Sequence, residues 1–264
     1  MNIQLMYDRI SNKKDLIRQL KEQLLSMEGF SSGSVSRRLD FGLGPMNAAF
    51  PGGTFPIGSI HELVSPTEAD AAAANGFLAG LLSTLMGQSG ICLWISVGRK
   101  LFPPALKFFG IEPHRVIFVD VKLKKDGLWV MEQALKCTAL SAVVAELREV
   151  SFAESRRLQL AVEDSRVTGF LHRIRPVSQA TLACVSRWKI SPQPSHSNGL
   201  PGVGFSRVQV ELEKIRNGRP GSWQFEWRKG RFLFVPAKRP AALTAESAKN
   251  NLDSNKASTK MKAG

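Results

Sequence analysis

The pattern of apolar and polar positions divides the chain into regularly spaced elements. Gly58-Ser59-Ile60-His61-Glu62-Leu63-Val64-Ser65 reads as a buried strand, and after a short loop Ala71 to Met86 reads as a long apolar helix. Gly87 to Gly90 is a turn, Ile91 to Ser96 a second strand, Pro103 to Phe109 a short helix and Arg115 to Val121 a third strand. Gly127 to Thr138 is helical, Ser141 to Glu146 is a fourth strand, Phe152 to Glu163 a helix and Gly169 to Ile174 a fifth strand. This β-α-β-α rhythm predicts an α/β fold, with a mostly parallel sheet flanked by helices on both faces. From Thr181 the rhythm changes. Thr181 to Ile190, Ser206 to Ile215, Ser222 to Arg228 and Arg231 to Val235 read as successive strands of an antiparallel C-terminal portion. Asn217-Gly218 is a hairpin turn signal, and the Pro/Gly/Ser-rich stretch Ser191 to Gly204 reads as a mobile connecting loop.

The ends of the chain have a different texture. Over residues 12–28, Leu16, Ile17, Leu20, Leu24 and Leu25 form one apolar stripe of an amphipathic helix, which suits packing on its own domain and on a partner equally. Ser31 to Arg38 reads as a linker. From Pro236 onward the chain is polar, basic and rich in Ala, Ser and Lys, and disorder is expected. Three segments follow: an N-terminal helix and linker (1–39), a core (40–235) and a basic tail (236–264).

Length and composition narrow the class. The 264 residues are 43% apolar, enough for one large domain or two small ones with a buried core. No uninterrupted apolar run reaches the length of a membrane span, and the first residues lack the apolar stretch of a signal peptide. Cys92, Cys137 and Cys184 are widely spaced and form no metal or disulfide pattern, which fits a reducing cytoplasm. His61, His114, His172 and His196 have no ligand spacing either, so no metal is expected. The formal net charge is +14. Six basic residues against two acidic ones place part of that excess in the tail, and the rest lies in residues 1–235. Such a balance favours a polyanionic partner, nucleic acid first among them.

The loop between the first strand and its helix is where a nucleotide-hydrolysing core holds phosphates. A phosphate loop uses glycines whose backbone N–H groups wrap the phosphates, a Lys that reaches them and a Ser/Thr for magnesium. Ser65 to Ala73 has neither Gly nor Lys and carries Glu68 and Asp70, which would repel a triphosphate. The same residues make a self-satisfied helix start. Thr67 is placed to cap, Asp70 to reach back to it, and both acids suit the positive end of the helix dipole. Ser65, Thr67, Glu68 and Asp70 therefore read as a degenerate phosphate loop. No bound cofactor and no catalysis are expected.

Several stretches resemble the ImuA family, RecA-like accessory proteins of bacterial error-prone repair. They are Phe50-Pro51-Gly52-Gly53 with Pro56 and Gly58, Ile60-His61-Glu62-Leu63, Leu93-Trp94-Ile95, and Ser155-Arg156-Arg157-Leu158-Gln159-Leu160-Ala161. To these are added Ser186-Arg187-Trp188-Lys189-Ile190, Gly199-Leu200-Pro201-Gly202 and Arg216-Asn217-Gly218-Arg219-Pro220-Gly221-Ser222-Trp223. The last block is the most specific. The resemblance spans roughly residues 40–235 and implies a RecA-like core that has lost its hydrolytic parts. The position of the glutamate that activates water falls near Gly98, and Glu146 stands where a magnesium-coordinating Asp would be, in a role better suited to an N-cap or salt bridge. The two loops that hold single-stranded DNA in a recombinase would be Leu147 to Ser151 and Arg175 to Ala180, both too short to line a channel.

By the same resemblance, the function is that of a non-catalytic adaptor in a translesion-synthesis mutasome of the DNA-damage (SOS) response. Its implied partners are an ImuB-type inactive Y-family polymerase, an error-prone replicative-type polymerase and a RecA-family protomer. Two alternatives remain from the residues. One is direct nucleic-acid binding through a basic, Trp-containing C-terminal surface. The other is a cell-division inhibitor of the SulA type, which uses the same fold; the greater length of this chain and its Arg-Asn-Gly-Arg-Pro block argue against that. Arg187, Trp188, Arg207, Arg216, Asn217, Arg219 and Trp223 are the candidate partner or DNA interface, because Arg and Trp are favoured interface anchors.

Overall fold

The computed structural model describes residues 39–99, 101–178, 180–196 and 204–236. The expected helix over 12–28, the linker before residue 39 and the tail from 237 lie outside the described residues. The strands are β1 (Ile60–Ser65), β2 (Cys92–Ser96), β3 (Val116–Asp120), β4 (Ala142–Leu147), β5 (Thr168–Ile174), β6 (Ser186–His196), β7 (Phe205–Ile215), β8 (Gly221–Arg228) and β9 (Arg231–Val235). The α-helices are α1 (Glu68–Met86), α2 (Lys124–Leu135) and α3 (Phe152–Ser165). Pro103–Phe109 is a tight 3-10 helix rather than an α-helix.

The strands form one sheet in the order β3-β2-β4-β5-β1-β6-β7-β8-β9. Every pairing from β3 to β6 that the register defines is parallel, and β6–β7 and β7–β8 are antiparallel. Strand alternation sends neighbouring residues to opposite layers. On one face, Leu63, Trp94, Val144, Phe170 and Trp188 pack with α1 and with the Gly/Pro-rich lead-in that holds Phe41, Phe50 and Phe55. On the other, Ile60, Ile95, Val143, Ala145 and Leu171 pack under α2 and α3. Strands buried on both faces explain why β1, β2, β4 and β5 read as nearly continuous apolar runs.

Gly80 in α1 is a packing device. A β-carbon there would lie 2.3 Å from the Phe232 ring and 2.8 Å from that of Trp227. Only a helix surface without side chain lets the aromatic end of the sheet close on it.

The structure corrects one stretch. The expected strand from Thr181 starts at Ser186, and the expected loop from Ser191 is strand as far as His196. β1 covers only Ser186, Arg187 and Trp188 of β6, so beyond that point one edge of β6 is open. A proline on an open edge forfeits no ladder bond, which is how Pro192 and Pro194 sit inside a strand. The strand bulges between Gln193 and His196. The rest of the expected loop, residues 197–203, lies outside the described residues.

Candidate functional site

The parallel strands β1 to β5 all end on one edge of the sheet, and open α/β sheets bind ligands at that edge. The β1–α1 loop is closed there by its own side chains. Thr67 Oγ1 accepts from the Asp70 backbone N–H at 3.1 Å, and Asp70 Oδ2 accepts from the Thr67 backbone N–H at 3.2 Å and from the Thr67 hydroxyl at 2.7 Å. This reciprocal cap uses the N–H groups of Thr67 and Asp70 and sets a carboxylate at the helix start, which opposes a phosphate there. Glu68 pairs with Arg175 from the end of β5 at 3.3 Å. Ser65, fully buried, hydrogen-bonds His172 Nε2 at 2.8 Å.

A buried polar row runs beside this loop. Glu146 accepts from Trp94 Nε1 at 3.1 Å and from Ser96 Oγ at 2.9 Å, with Asn75 Nδ2 of α1 at 3.4 Å. Its place in the fold includes that of an acceptor for β2 and α1. Gly98 follows β2 with φ of 77°, a left-handed turn where glycine is favoured and no side chain can act. His172 lies opposite Glu146 in the β4–β5 register, and burial lowers its pKa from 6.5 to about 4, so it is neutral. Its Nδ1 is buried with no protein partner among the described residues. Among those residues no group of three His, Cys, Asp or Glu could hold a metal ion.

Two further polar systems tie the strands together. His61 Nε2 faces the Pro56 carbonyl at 2.7 Å, and a carbonyl only accepts, so Nε2 carries the proton. Nδ1 then accepts from Ser186 Oγ at 2.6 Å, and that oxygen accepts from Trp188 Nε1 at 2.6 Å. Burial, only partly opposed by the Pro56 bond, lowers the His61 pKa to about 4. On the opposite face, Glu62 in β1 receives Arg173 of β5 at 3.0 Å and Arg187 of β6 at 2.8 Å. Arg173 continues to Glu149 at 3.2 Å. Slight burial works against the Glu149 charge, but bonds from the Val177 and Ser178 N–H groups and from Arg173 outweigh it and lower its pKa. Sequence reasoning passed over this network. Its signal was a charged residue inside each of two apolar runs, Glu62 and Arg173, since a charge in a doubly covered strand requires a partner.

The candidate interface residues separate into two groups. Trp188 is 1% exposed and packed against Phe50, Phe55 and Phe77, so the fold removes it from any interface. Arg187 is held by Glu62 and the Ala180 carbonyl. Arg207 is held by Glu226, which also pairs with Arg228. Burial opposes the Glu226 charge, but the two guanidinium groups outweigh it and lower its pKa. Arg216, Asn217 and Arg219 are exposed on the β7–β8 turn, and Trp223 is half-buried.

That turn is shaped by its neighbours. Asn217 has φ of 56°, the left-handed conformation a tight hairpin requires. A β-carbon on Gly218 would lie 2.3 Å from the Ala49 carbonyl oxygen, which accepts from the Arg219 N–H at 2.8 Å. A β-carbon on Gly221 would lie 2.5 Å from the Trp223 ring. The glycines of this block thus dock the turn on the lead-in segment, while its arginines stay outside.

The expected DNA loops are filled or short. Four residues, Arg148 to Ser151, connect β4 to α3. The second connection is longer than the sequence suggested, since β6 starts at Ser186, but Leu182, Ala183, Cys184 and Val185 are buried in it.

No protein-family model matches the chain. It is 35% identical to the Protein ImuA of Caulobacter vibrioides strain NA1000 / CB15N, over 70% of this chain and 81% of that protein. The Protein ImuA of strain ATCC 19089 / CIP 103742 / CB 15 aligns equally well. Among solved structures, the RadB recombinase superposes with a TM-score of 0.52 at 15% identity, over 75% of this chain and all of that one. The fold is RecA-like: a mostly parallel sheet flanked by helices with an antiparallel C-terminal part.

Proposed function

The chain belongs to the ImuA family, and on that premise we propose that it is a non-catalytic accessory protein of a translesion-synthesis assembly in the DNA-damage response. It joins an ImuB-type inactive polymerase to an error-prone replicative-type polymerase, with a RecA-family protomer as a further partner, and does so without hydrolysing nucleotide. The observation that carries this reading is the reciprocal Thr67–Asp70 cap, which uses the helix N-terminus that a RecA-like enzyme gives to phosphate. The exposed turn with Arg216, Asn217 and Arg219, flanked by Trp223, is the proposed partner contact. No described helix is long and apolar enough to cross a membrane.

A second reading, direct nucleic-acid contact, is favoured by the exposed arginines of that turn together with Lys229 and Arg231 at the next one. One experiment separates the two. ATP titration by calorimetry is run beside co-purification with an ImuB-type partner at low and high salt. An adaptor gives no heat with ATP and a complex that survives high salt. Saturable ATP binding sinks the closed-loop argument. A complex that forms only with DNA present and vanishes with salt moves the role to the nucleic-acid reading.

A further inference from the structure

The C-terminal edge of the sheet has a second face to solvent, built by the loops that leave β3, β2, β4 and β5. These four strands are adjacent in that order, so their loops form a row. Each loop sets a basic side chain near an exposed apolar one. The β3 loop gives Lys122 and Leu123 (52% exposed), and the β2 loop gives Arg99 and Val97 (45%). The β4 loop gives Arg148 with Phe152 (58%), and the β5 loop gives Arg175 with Val177 (77%). The row is held together laterally. Arg99 reaches Asp120 at the end of β3 at 2.6 Å, Lys124 reaches Glu154 at 3.0 Å, and Arg148 Nε donates to the Arg175 carbonyl at 3.0 Å. Lys122 and the remaining nitrogens of Arg148 have no acid partner among the described residues.

Exposed apolar side chains lose free energy to water that contact with a partner would recover. Four of them, each beside a cation, fit a ligand that is apolar and acidic by turns. The geometry points to a docking site at this edge for an acidic peptide segment of a partner protein, its aliphatic or aromatic residues lying on Val97, Leu123, Phe152 and Val177, its carboxylates meeting Lys122 and Arg148. Nucleic acid fits less well. Phe102 and Phe152 are the exposed aromatic rings of these loops, and the β3 and β5 loops, with Leu123 and Val177, offer no ring on which successive bases could stack. Asp120, Glu149 and Glu154 interleave with the cations and would oppose an unbroken row of phosphates, whereas a peptide can set its few carboxylates opposite Lys122 and Arg148 alone. The site goes beyond the adaptor reading and is separate from the Arg216–Trp223 turn, so each can fail without the other.

The test is a selection of displayed random peptides on the full-length protein, counter-selected on a Phe152→Asp/Val177→Asp variant. Binding of the selected peptides is then measured by fluorescence anisotropy, with a deoxythymidine oligonucleotide as competitor. All four residues are exposed, so the variant keeps the wild-type melting temperature, which is checked first. The expected result is enrichment of peptides carrying Asp or Glu with Leu, Ile or Phe, whose affinity falls at least about tenfold in the apolar variant and in Lys122→Glu/Arg148→Glu. No enrichment over the counter-selection, peptides without acidic residues, or equal binding to both variants overturns the proposal. So does an oligonucleotide that displaces the peptides from wild type and itself loses affinity in the Lys122/Arg148 variant, since the edge would then be a nucleic-acid surface.

Discussion

Thr67 and Asp70 satisfy each other: the hydroxyl of one accepts the backbone N–H of the other at 3.1 Å, and the carboxylate accepts in return at 3.2 Å. The cap uses the Asp70 N–H and sets a carboxylate over the helix start, where it opposes an approaching anion. Thr67→Ala is expected to cost about 1 kcal/mol in denaturant unfolding, the ordinary worth of an N-cap. Calorimetric titration with ATP should stay flat in both wild type and variant. A variant that gained ATP binding would show that the cap masks a working site.

His61 and His172 give the fold a pH dependence of known sign. Both have a folded pKa near 4 against an ordinary value of 6.5, so the unfolded chain takes up protons that the folded chain refuses. Stability is full above about pH 6.5 and falls as the pH drops toward 4. Each ring contributes on the order of 3 kcal/mol across that window. Urea unfolding at pH 7 and pH 5 should differ clearly. His172→Gln should remove about half of the difference, His61 keeping the rest, and an unchanged slope would place the titration elsewhere.

Breaking the Glu62–Arg173 pair should be among the costliest single changes. Their side chains are 2% and 1% exposed, so removing either leaves a charge buried without its main partner. Arg173→Met is expected to cost about 3–5 kcal/mol, and replacing both residues with apolar ones should cost less than the two single changes added. Additive losses in a double-mutant cycle would mean the pair is not coupled.

Gly218→Ala tests the docking of the β7–β8 turn. The new methyl meets the Ala49 carbonyl oxygen and Ile215, and neither the backbone nor the packed side chain gives way cheaply. A loss of about 1–3 kcal/mol is expected, the range for forced overpacking. Arg219→Ala, whose backbone bond survives, should be near neutral in the same thermal melt.

Arg216→Glu/Arg219→Glu should leave folding within about 0.5 kcal/mol, because both side chains are exposed. The same variant is expected to weaken co-purification with an ImuB-type partner by about tenfold or more if the turn is an anchor. Trp223→Ala should do the opposite, lowering the melting temperature, because its ring lies over Gly221 and against the core.

Periodicity alone located the strands and helices of the α/β core, since parallel strands covered on both faces must be apolar throughout. The missing Gly and Lys of a phosphate loop were equally legible, because that motif is defined by residue types at fixed spacing rather than by distant contacts. Where β6 begins and ends was not legible. Pro192 and Pro194 signal a loop locally, and only the open edge left by β1 makes them tolerable in a strand. The candidate interface divided for the same reason. Arg187, Trp188 and Arg216 look alike in a list of basic and aromatic positions, yet Glu62, 125 residues from Arg187, neutralises the first, while α1 and the lead-in bury the second. The sequence by itself determined which segments would be strand or helix and that the loop after β1 lacks the Gly and Lys of a phosphate loop, because both follow from neighbours along the chain. The tertiary structure decided which charges are spent inside the fold and which side chains line the strand ends, because burial and ion pairing are set by residues distant in the chain.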